Sequence, residues 1–519
     1  MIRDRHSEVK QSSGSSYIKI LKSSILMGGS SAFSILIGFG RTKIYAVFLG
    51  PQGIALVGLL TSIADLGHCI AGLGINNSGV RRIAEAAATG DESQVALTAS
   101  VLRKLSTTLA TLGALVIILG SGPIARMTFG VDGHQVAVAC ISIAVFLRLI
   151  ASSRDALIMG TRRIGSLAKM SMSGSFLGSL TSLPFIIWLG VDGIVPAIIS
   201  GTTASFAVSW WFSKKIRLPR VAVTLETLRT EVPGMLKLGV VLMGSTLLSL
   251  ATIYVLRLII IKQVGLEAGG LYQAAATLGT LYVGFILNSM GADFLPRLMQ
   301  AIKSPDTFNR LVNEQLEIVA LLAPPGIIGT ITFAPLVIQI FYSSKFFAAV
   351  PILSWITLGL LLRITAWALD YVVLAQGRQF IYFFRELGLA AVQIILTWIG
   401  VFMYGIKGAG IAMAAYFAIH AFTSLALARH ITGFRLSRKY LIILSIMAPA
   451  VAGSFAVRQF APPIIAYLVG STLVIATGAY TFRHALRFIL DEKSDNKVMK
   501  YIGKLFRAEK IKGEGNGNT

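Results

Sequence analysis

Cysteine, acidic residues and long polar stretches are what this chain is short of. Two cysteines in 519 residues leave no disulfide framework and no cysteine–histidine metal spacing. Cys69 and Cys140 read instead as packing residues within apolar runs. Only 13% of the residues are charged, and the 23 Asp and Glu number about half of the 47 Lys and Arg. No polar segment is long enough to fold as a separate globular domain. No Walker A loop, HExxH or supported GxSxG motif occurs. Direct use of ATP and enzyme chemistry are therefore not indicated, and no cofactor, catalytic residue or metal site is expected. Met1 to Ser16 lack the short apolar core and cleavage site of a signal peptide, so the first apolar run is expected to remain as an uncleaved helix.

What is abundant is apolar surface: hydrophobic residues make up 55% of the chain. With about 20 apolar residues needed per membrane crossing, roughly fourteen candidate spans are found. They lie near 23–46, 53–76, 105–123, 134–157, 168–190, 193–212, 237–261, 268–292, 317–342, 348–374, 381–404, 408–428, 440–457 and 463–482. The runs are continuously apolar rather than alternating, which predicts helices and excludes a β-barrel. The 51 glycines, with Ala and Ser, recur through the spans, as expected where helices must approach closely without water to drive them together. The fold class is an all-α polytopic membrane protein.

The basic excess collects in alternate loops. Examples are Arg81, Arg82, Arg103 and Lys104; Arg162, Arg163 and Lys169; and Lys214, Lys215, Arg217, Arg220 and Arg229. The positive-inside rule then places both termini in the cytoplasm, which requires an even number of spans. Because the basic residues act as topology signals in short loops, nucleic acid is not an expected partner. Ser213 to Lys237 is the longest internal loop. In the tail, Val498, Tyr501, Ile502, Leu505 and Phe506 have helical spacing among lysines and an arginine. That pattern fits either an amphipathic helix on anionic phospholipid or a disordered basic tail; Gly513 to Thr519 is expected to be disordered.

The charges inside the spans repeat. Arg148, Asp155 and Arg163 return as Arg363, Asp370 and Arg378 after the same interval (363−148 = 370−155 = 378−163 = 215). Gly193 and Gly408, and Arg82 and Arg297, keep that interval, while Arg41 and Arg257 miss it by one residue. The repeat predicts two related lobes, 1–215 and 216–430, then two extra spans over 431–490 and a basic tail over 491–519. Duplicated helical bundles of this kind read as a transporter with its path between the halves.

An Arg, Lys or Asp at mid-span costs about 2.5–3.5 kcal/mol on insertion scales, so such residues normally face a cavity or a partner. Arg148 and Asp155 lie two turns apart, roughly 10 Å along the axis, so each is expected to meet something other than its neighbour. Arg41, Arg148, Arg257 and Arg363 together could form a cationic cavity, two from each half. Arg41, Lys43 and Lys262 lie close enough to helix ends to snorkel instead. Arg163 and Arg378 read as orientation signals and caps, and Asp155 and Asp370 as helix-fixing partners of neighbouring arginines. Asp65 and His68, at i and i+3, form either a proton-responsive pair or a structural hydrogen bond. Asn76, Asn77, Asn288 and Asp293 are further polar residues within spans. Pro184, Pro196, Pro324–Pro325 and Pro335 suggest discontinuous helices.

Residues 40–85, GRTKIYAVFLGPQGIALVGLLTSIADLGHCIAGLGINNSGVRRIAE, resemble the opening of bacterial O-antigen flippases of the Wzx type. These belong to the polysaccharide branch of the multidrug/oligosaccharidyl-lipid/polysaccharide exporter superfamily. The likeness rests on Arg41 late in the first helix, the LGPQG turn (Leu49–Gly53) and the LGI…VRR end of the second, within a layout of two six-helix lobes over 20–430. Two extra C-terminal helices occur in some branches, including the lipid II flippase. The resemblance implies a bacterial inner-membrane flippase for undecaprenyl-pyrophosphate-linked oligosaccharide, with polysaccharide polymerase and chain-length proteins as partners. On it, Arg148 and Arg363 would bind the anionic head and Arg41 and Arg257 would guide it, since arginine forks match phosphate. Asp155, Asp370, Asp65, His68 and Asp293 would be candidates for coupling or gating. The rival readings are a lipid II flippase, a cation-coupled drug exporter of the same superfamily, and an O-antigen polymerase or ligase.

Overall fold

The computed structural model describes the backbone of residues 2–130, 132–219 and 221–491. Side chains are described from Leu26 to His484, apart from positions 131, 132, 220, 288, 289 and 292. The amphipathic segment expected over 497–507 and the side chain of Asn288 lie outside these residues. The described chain is helical between short connections. The first half holds α1 (Ile2–Gly72), α2 (Ile75–Ala88), α3 (Glu92–Leu119), α4 (Ser121–Phe129), α5 (Gln135–Gly160), α6 (Ile164–Leu189) and α7 (Ile194–Lys214). The second holds α8 (Leu225–Val264), α9 (Leu266–Gln300), α10 (Pro305–Thr332), α11 (Ala334–Phe341), α12 (Val350–Ala375), α13 (Gln379–Tyr404) and α14 (Ile406–Thr432). Then come α15 (Arg438–Phe460) and α16 (Pro463–Asp491).

Twelve segments are long and apolar enough to cross a membrane. Two of them, Leu26–Gly72 (47 residues) and Ile164–Lys214 (51 residues), are each long enough for two crossings, so the twelve supply fourteen. The described chain is thus a multi-span, all-helical membrane protein.

The 215-residue interval is also present in the backbone. Helices α5 and α12 start and end 215 residues apart, as do α6 and α13. A repeated turn places its glycine in the same unusual dihedral region in both copies. Gly50, which breaks α1 into two spans, has φ 65° and ψ −170°, and Gly265 between α8 and α9 has φ 110° and ψ 168°. That region is open only to glycine, which explains why an LGPQG turn separates two spans. Gly193 and Gly408 recur for another reason. A Cβ on Gly193 would collide with the carbonyl of Phe185, and one on Gly408 with that of Gly400, so both hairpins need a residue without one.

Most of the prolines within the spans do not mark breaks; Pro335 does, just after the one at Phe333 between α10 and α11. Helices α6 and α10 run on through Pro184 and through Pro324 and Pro325. Pro196 and Pro335 sit in the first turns of α7 and α11, where the missing N–H has no intrahelical partner to lose. The discontinuity that matters falls at Leu73 (φ 45°) and Gly74 (φ 68°), between α1 and α2. The second copy lacks it: α9 continues unbroken from Leu266 to Gln300.

Apolar packing joins the halves at one end. A buried cluster there takes Tyr45, Ile54 and Leu59 from α1 together with Leu271, Tyr342 and Ile352 from the second half. The last two helices pack mainly on α10 and on each other, outside that junction.

Candidate functional site

Between the halves lies a cavity of about 640 Å³, walled by α1, α5, α6 and α7 on one side and α8 and α9 on the other. Arg41, Arg148 and Arg257 line it, with Asp65 as its single carboxylate. Small residues of α6 and α7, among them Gly174, Gly178, Gly201 and Ser205, make room for it.

The three arginines are held differently. Arg148 Nη1 donates to Asp65 Oδ1 at 2.6 Å, with side chains 39% and 30% exposed. Arg257, from the second half, reaches across to α1, where its Nη1 donates to the Gly58 carbonyl at 2.7 Å and to the Ser62 hydroxyl. Arg41 is exposed, stands 5.9 Å from the Tyr45 ring centroid, and has no carboxylate partner among the described residues. Gln273 completes the junction. Its side chain packs where a Cβ on Gly58 would otherwise be, and its Oε1 is buried without a hydrogen-bond donor.

Arg363 does not join them. It occupies the place of Arg148 in the second copy but lies 5.4 Å from the Phe417 ring centroid, and it is absent from the cavity wall. The reason can be read from the interval: the position equivalent to Asp65 is Thr280, whose hydroxyl donates to the Ala276 carbonyl within its own helix. With no carboxylate opposite, nothing draws Arg363 into the corresponding place. The cationic cavity therefore has three of the four arginines that the spacing suggested.

The two repeated aspartates share one role. Asp155 accepts from Ser209 Oγ at 2.5 Å, and Asp370 from Ser424 Oγ at 2.8 Å, and the serines are again 215 residues apart. Each tie links the fifth helix of its half to the seventh, α5 to α7 and α12 to α14. Asp370 also meets Arg385 Nη1 at 2.7 Å and His420 Nε2 at 3.1 Å, and Arg385 Nη2 meets Glu386 at 2.7 Å. Asp370, Glu386 and His420 present ligand atoms within 4.8 Å of one another, but the Arg385 guanidinium already stands where a cation would. The pairing of Asp370 with an arginine of a neighbouring helix was expected from sequence, but Arg385, Glu386 and His420 were not identified as its members. The signal was an arginine and a glutamate side by side near the start of an apolar run, FIYFFRELGL.

His68 lines the second cavity with Asp65, and its Nε2 lies 3.0 Å from Ser152 Oγ. Asp293 is exposed and makes an i,i+4 pair with Arg297 at 3.4 Å. Lys43 Nζ donates to the Gln339 carbonyl at 2.5 Å, tying the halves together near Gly50. Arg163 and Arg378 are the N-cap residues of α6 and α13, without a side-chain capping bond.

A second cavity, about 380 Å³, begins where the first ends. Asp65 and Arg148 line both, and the second continues past His68, Cys69, Asn76 and Asn77 towards Thr246 of α8. The Asp65–Arg148 pair therefore stands at the boundary between the two. Beyond the second cavity the halves touch again: backbone at Leu73–Gly74 packs directly on Gly239 of α8, and Arg82 lies 4.0 Å from Glu231. At the opposite end Gly270 packs on the Pro51 carbonyl. Contacts between the halves thus flank the two cavities, and the ion pair stands where the cavities meet.

Known proteins share this architecture. The lipid III flippase of Escherichia coli strain K12 is 22% identical over 414 residues, covering 78% of this chain and 96% of its own length. An inward-facing multidrug resistance MATE family transporter of the MOP superfamily superposes with a TM-score of 0.65 at 17% identity, covering 77% of this chain and 94% of that one. The lipid II flippase MurJ in an inward closed conformation gives 0.64 at 15% identity, with 89% and 100% covered. Likeness at these identities shows the fold alone. Residues 44–351, which include both walls of the central cavity, match the model of one family, and the chain accordingly belongs to the polysaccharide biosynthesis protein family.

Proposed function

We propose that the protein is a flippase for an anionic lipid-linked oligosaccharide, carrying an undecaprenyl-pyrophosphate-linked unit of O-antigen or a related surface polysaccharide. The sugar head would cross the bacterial inner membrane from the cytoplasmic to the periplasmic leaflet, without chemistry on the cargo. The chain is a transporter and not an enzyme. One observation carries the reading: three arginines and a single carboxylate face a cavity between the two halves. A guanidinium offers paired N–H donors in a plane that suits phosphate oxygens. The family and the lipid III flippase likeness support the same class of cargo.

In this reading Asp65 holds the place of the cargo while the path is empty. A pyrophosphate arriving from the second cavity competes with Asp65 for Arg148, and Arg257 and Arg41 extend the cationic surface beyond it. Releasing Arg148 from Asp65 joins the two cavities into one path. The two halves then rock about the 215–224 connection, parting first at Leu73–Gly74 and Gly239 and later at Pro51 and Gly270. Only the head needs the polar path; the polyprenyl tail stays in lipid.

A cation-coupled drug exporter would be expected to turn carboxylates to its cargo, whereas this wall is arginine-rich. A polymerase or ligase would be expected to carry a sizeable extramembrane catalytic loop, and the described connections are short. A lipid II flippase shares the helix count and is separated by complementation of a strain depleted of its peptidoglycan flippase. The direct test is surface polysaccharide display with Arg148→Gln and Arg257→Gln at matched expression. Display should be lost in both, while Arg363→Gln, off the cavity wall, should keep it. Normal display with both cavity arginines neutralised rejects the assignment.

A further inference from the structure

A separate basic pocket lies outside the transport path. It has a volume of about 370 Å³ and sits where α3, α5 and α7 converge under the connection that follows Lys214. Arg103, Arg154 and Lys214 line it, and no Asp or Glu does. Three cations facing one space with no counter-ion repel one another, and an unfilled pocket of this kind is unfavourable unless an anion enters.

The cations are not committed elsewhere. None makes a salt bridge among the described residues. Arg154 has only a long bond, Nη1 to Ser213 Oγ at 3.4 Å, and a Phe206 ring 5.6 Å away, and its Nε–H is buried without an acceptor. Its chain neighbour Asp155 accepts from Ser209 and does not line the pocket, although its charge acts on Arg154. Lys214 Nζ rests 3.6 Å from the Trp210 ring centroid. Arg154 is not a simple topology signal, since it lies within α5, six residues before the helix ends, and is partly buried.

The surroundings indicate the depth in the membrane. Trp210 and Trp211 are exposed at the end of α7, with Lys214 and Lys215 stacked over their rings. Tryptophans under lysines at a helix end mark the level of lipid headgroups. Apart from Ser100 and Ser213, the pocket's remaining wall, including Leu157, Ile216 and Leu218, is apolar. Cationic donors at headgroup depth beside an apolar wall match a phosphate ester that carries hydrocarbon. Next to it, Lys104 Nζ donates to the Val223 carbonyl at 3.1 Å, so the connection between the halves is already tied to the same basic stretch of α3.

We infer that Arg103, Arg154 and Lys214 form a binding site for the phosphate of an anionic phospholipid, separate from the cargo cavity and placed against the connection between the two halves. A bound phosphodiester would neutralise the three cations and brace the connection on α3.

Native mass spectrometry of the full chain in detergent tests this. Phosphatidylglycerol, phosphatidylcholine and inorganic phosphate are added separately, and wild type is compared with Arg103→Gln/Arg154→Gln. Near a membrane surface each cation contributes about a fivefold gain in affinity for anionic lipid, so the double variant should lose about 25-fold in phosphatidylglycerol retention. Arg154→Lys should recover most of it, and Lys303→Gln/Lys439→Gln, in the connection after α9 and the first turn of α15, should change nothing. Should the double variant fail to fold, Arg103→Gln alone, on the exposed side of α3, should lose about fivefold. Equal retention by wild type and both Arg103 variants overturns the site. Equal retention of phosphatidylcholine, or displacement of the lipid by millimolar inorganic phosphate, overturns its assignment to a phospholipid.

Discussion

If Asp65 stands in for the cargo, removing its charge should tighten anion binding, whereas removing its partner should weaken it. Two unit charges about 4 Å apart attract by about 4 kcal/mol at an effective dielectric constant near 20. Arg148 and Asp65 keep 39% and 30% of their side chains exposed, so screening and desolvation reduce the net value. About 1–2 kcal/mol remains, between a surface pair and a buried one. Asp65→Asn frees that amount for an incoming phosphate, which corresponds to about 5–30-fold tighter binding. Arg148→Gln removes a charge-assisted hydrogen bond of about 1.5–3 kcal/mol and should weaken binding by about 10–150-fold. The double variant should follow Arg148→Gln, because Asp65 has nothing left to compete for. Calorimetric titration of the purified protein in nanodiscs with a short-chain polyprenyl pyrophosphate measures all three. Weakening by Asp65→Asn to the same degree as Arg148→Gln would refute the reasoning and leave the pair as a structural brace.

Two further outcomes follow from the contact between Gly239 and Leu73–Gly74 and from the second-half cluster. Asp370→Asn leaves Arg385, only 9% exposed, with Glu386 as its remaining charged partner, and should destabilise by about 2–4 kcal/mol in a detergent melt. No loss would mean that Glu386 alone satisfies the guanidinium. Gly239→Val drives a side chain into the Leu73–Gly74 backbone, an overpacking of about 1–3 kcal/mol that should favour states open at that end. In a Cys140→Ala background, maleimide labelling of Cys69, which lines the adjoining cavity, should speed up about 5–150-fold; unchanged labelling would show that this contact does not close the path.

Much of the architecture was legible because the membrane imposes it locally. A span must be apolar over its whole length, so counting runs found the crossings, and the LGPQG turn marked the one break hidden inside a continuous helix. Pro184 and Pro324–Pro325 misled because a helix surrounded by neighbours tolerates them, whereas Leu73–Gly74 carries no comparable signal. In the site, Arg41, Arg148 and Arg257 were found as charges out of place in apolar runs. Arg363 satisfied the same criterion and still fell outside, and Arg385 and His420 were passed over although they sit in the most connected polar cluster of the second half.

The sequence by itself determined that this chain lives in a membrane, that charged residues and glycines recur at a 215-residue interval, and which spans carry charge. Those properties are sums or spacings along one strand of residues, and the cost of burying a charge in lipid makes each exception visible. Only the tertiary structure decided which charges meet. Asp65 faces Arg148 because α1 and α5 pack with those faces together, and Arg363 is left against Phe417 because Thr280 stands where the second aspartate would be. Partner choice depends on how helices far apart in the chain are rotated against each other, and a 215-residue repeat of letters does not record that rotation.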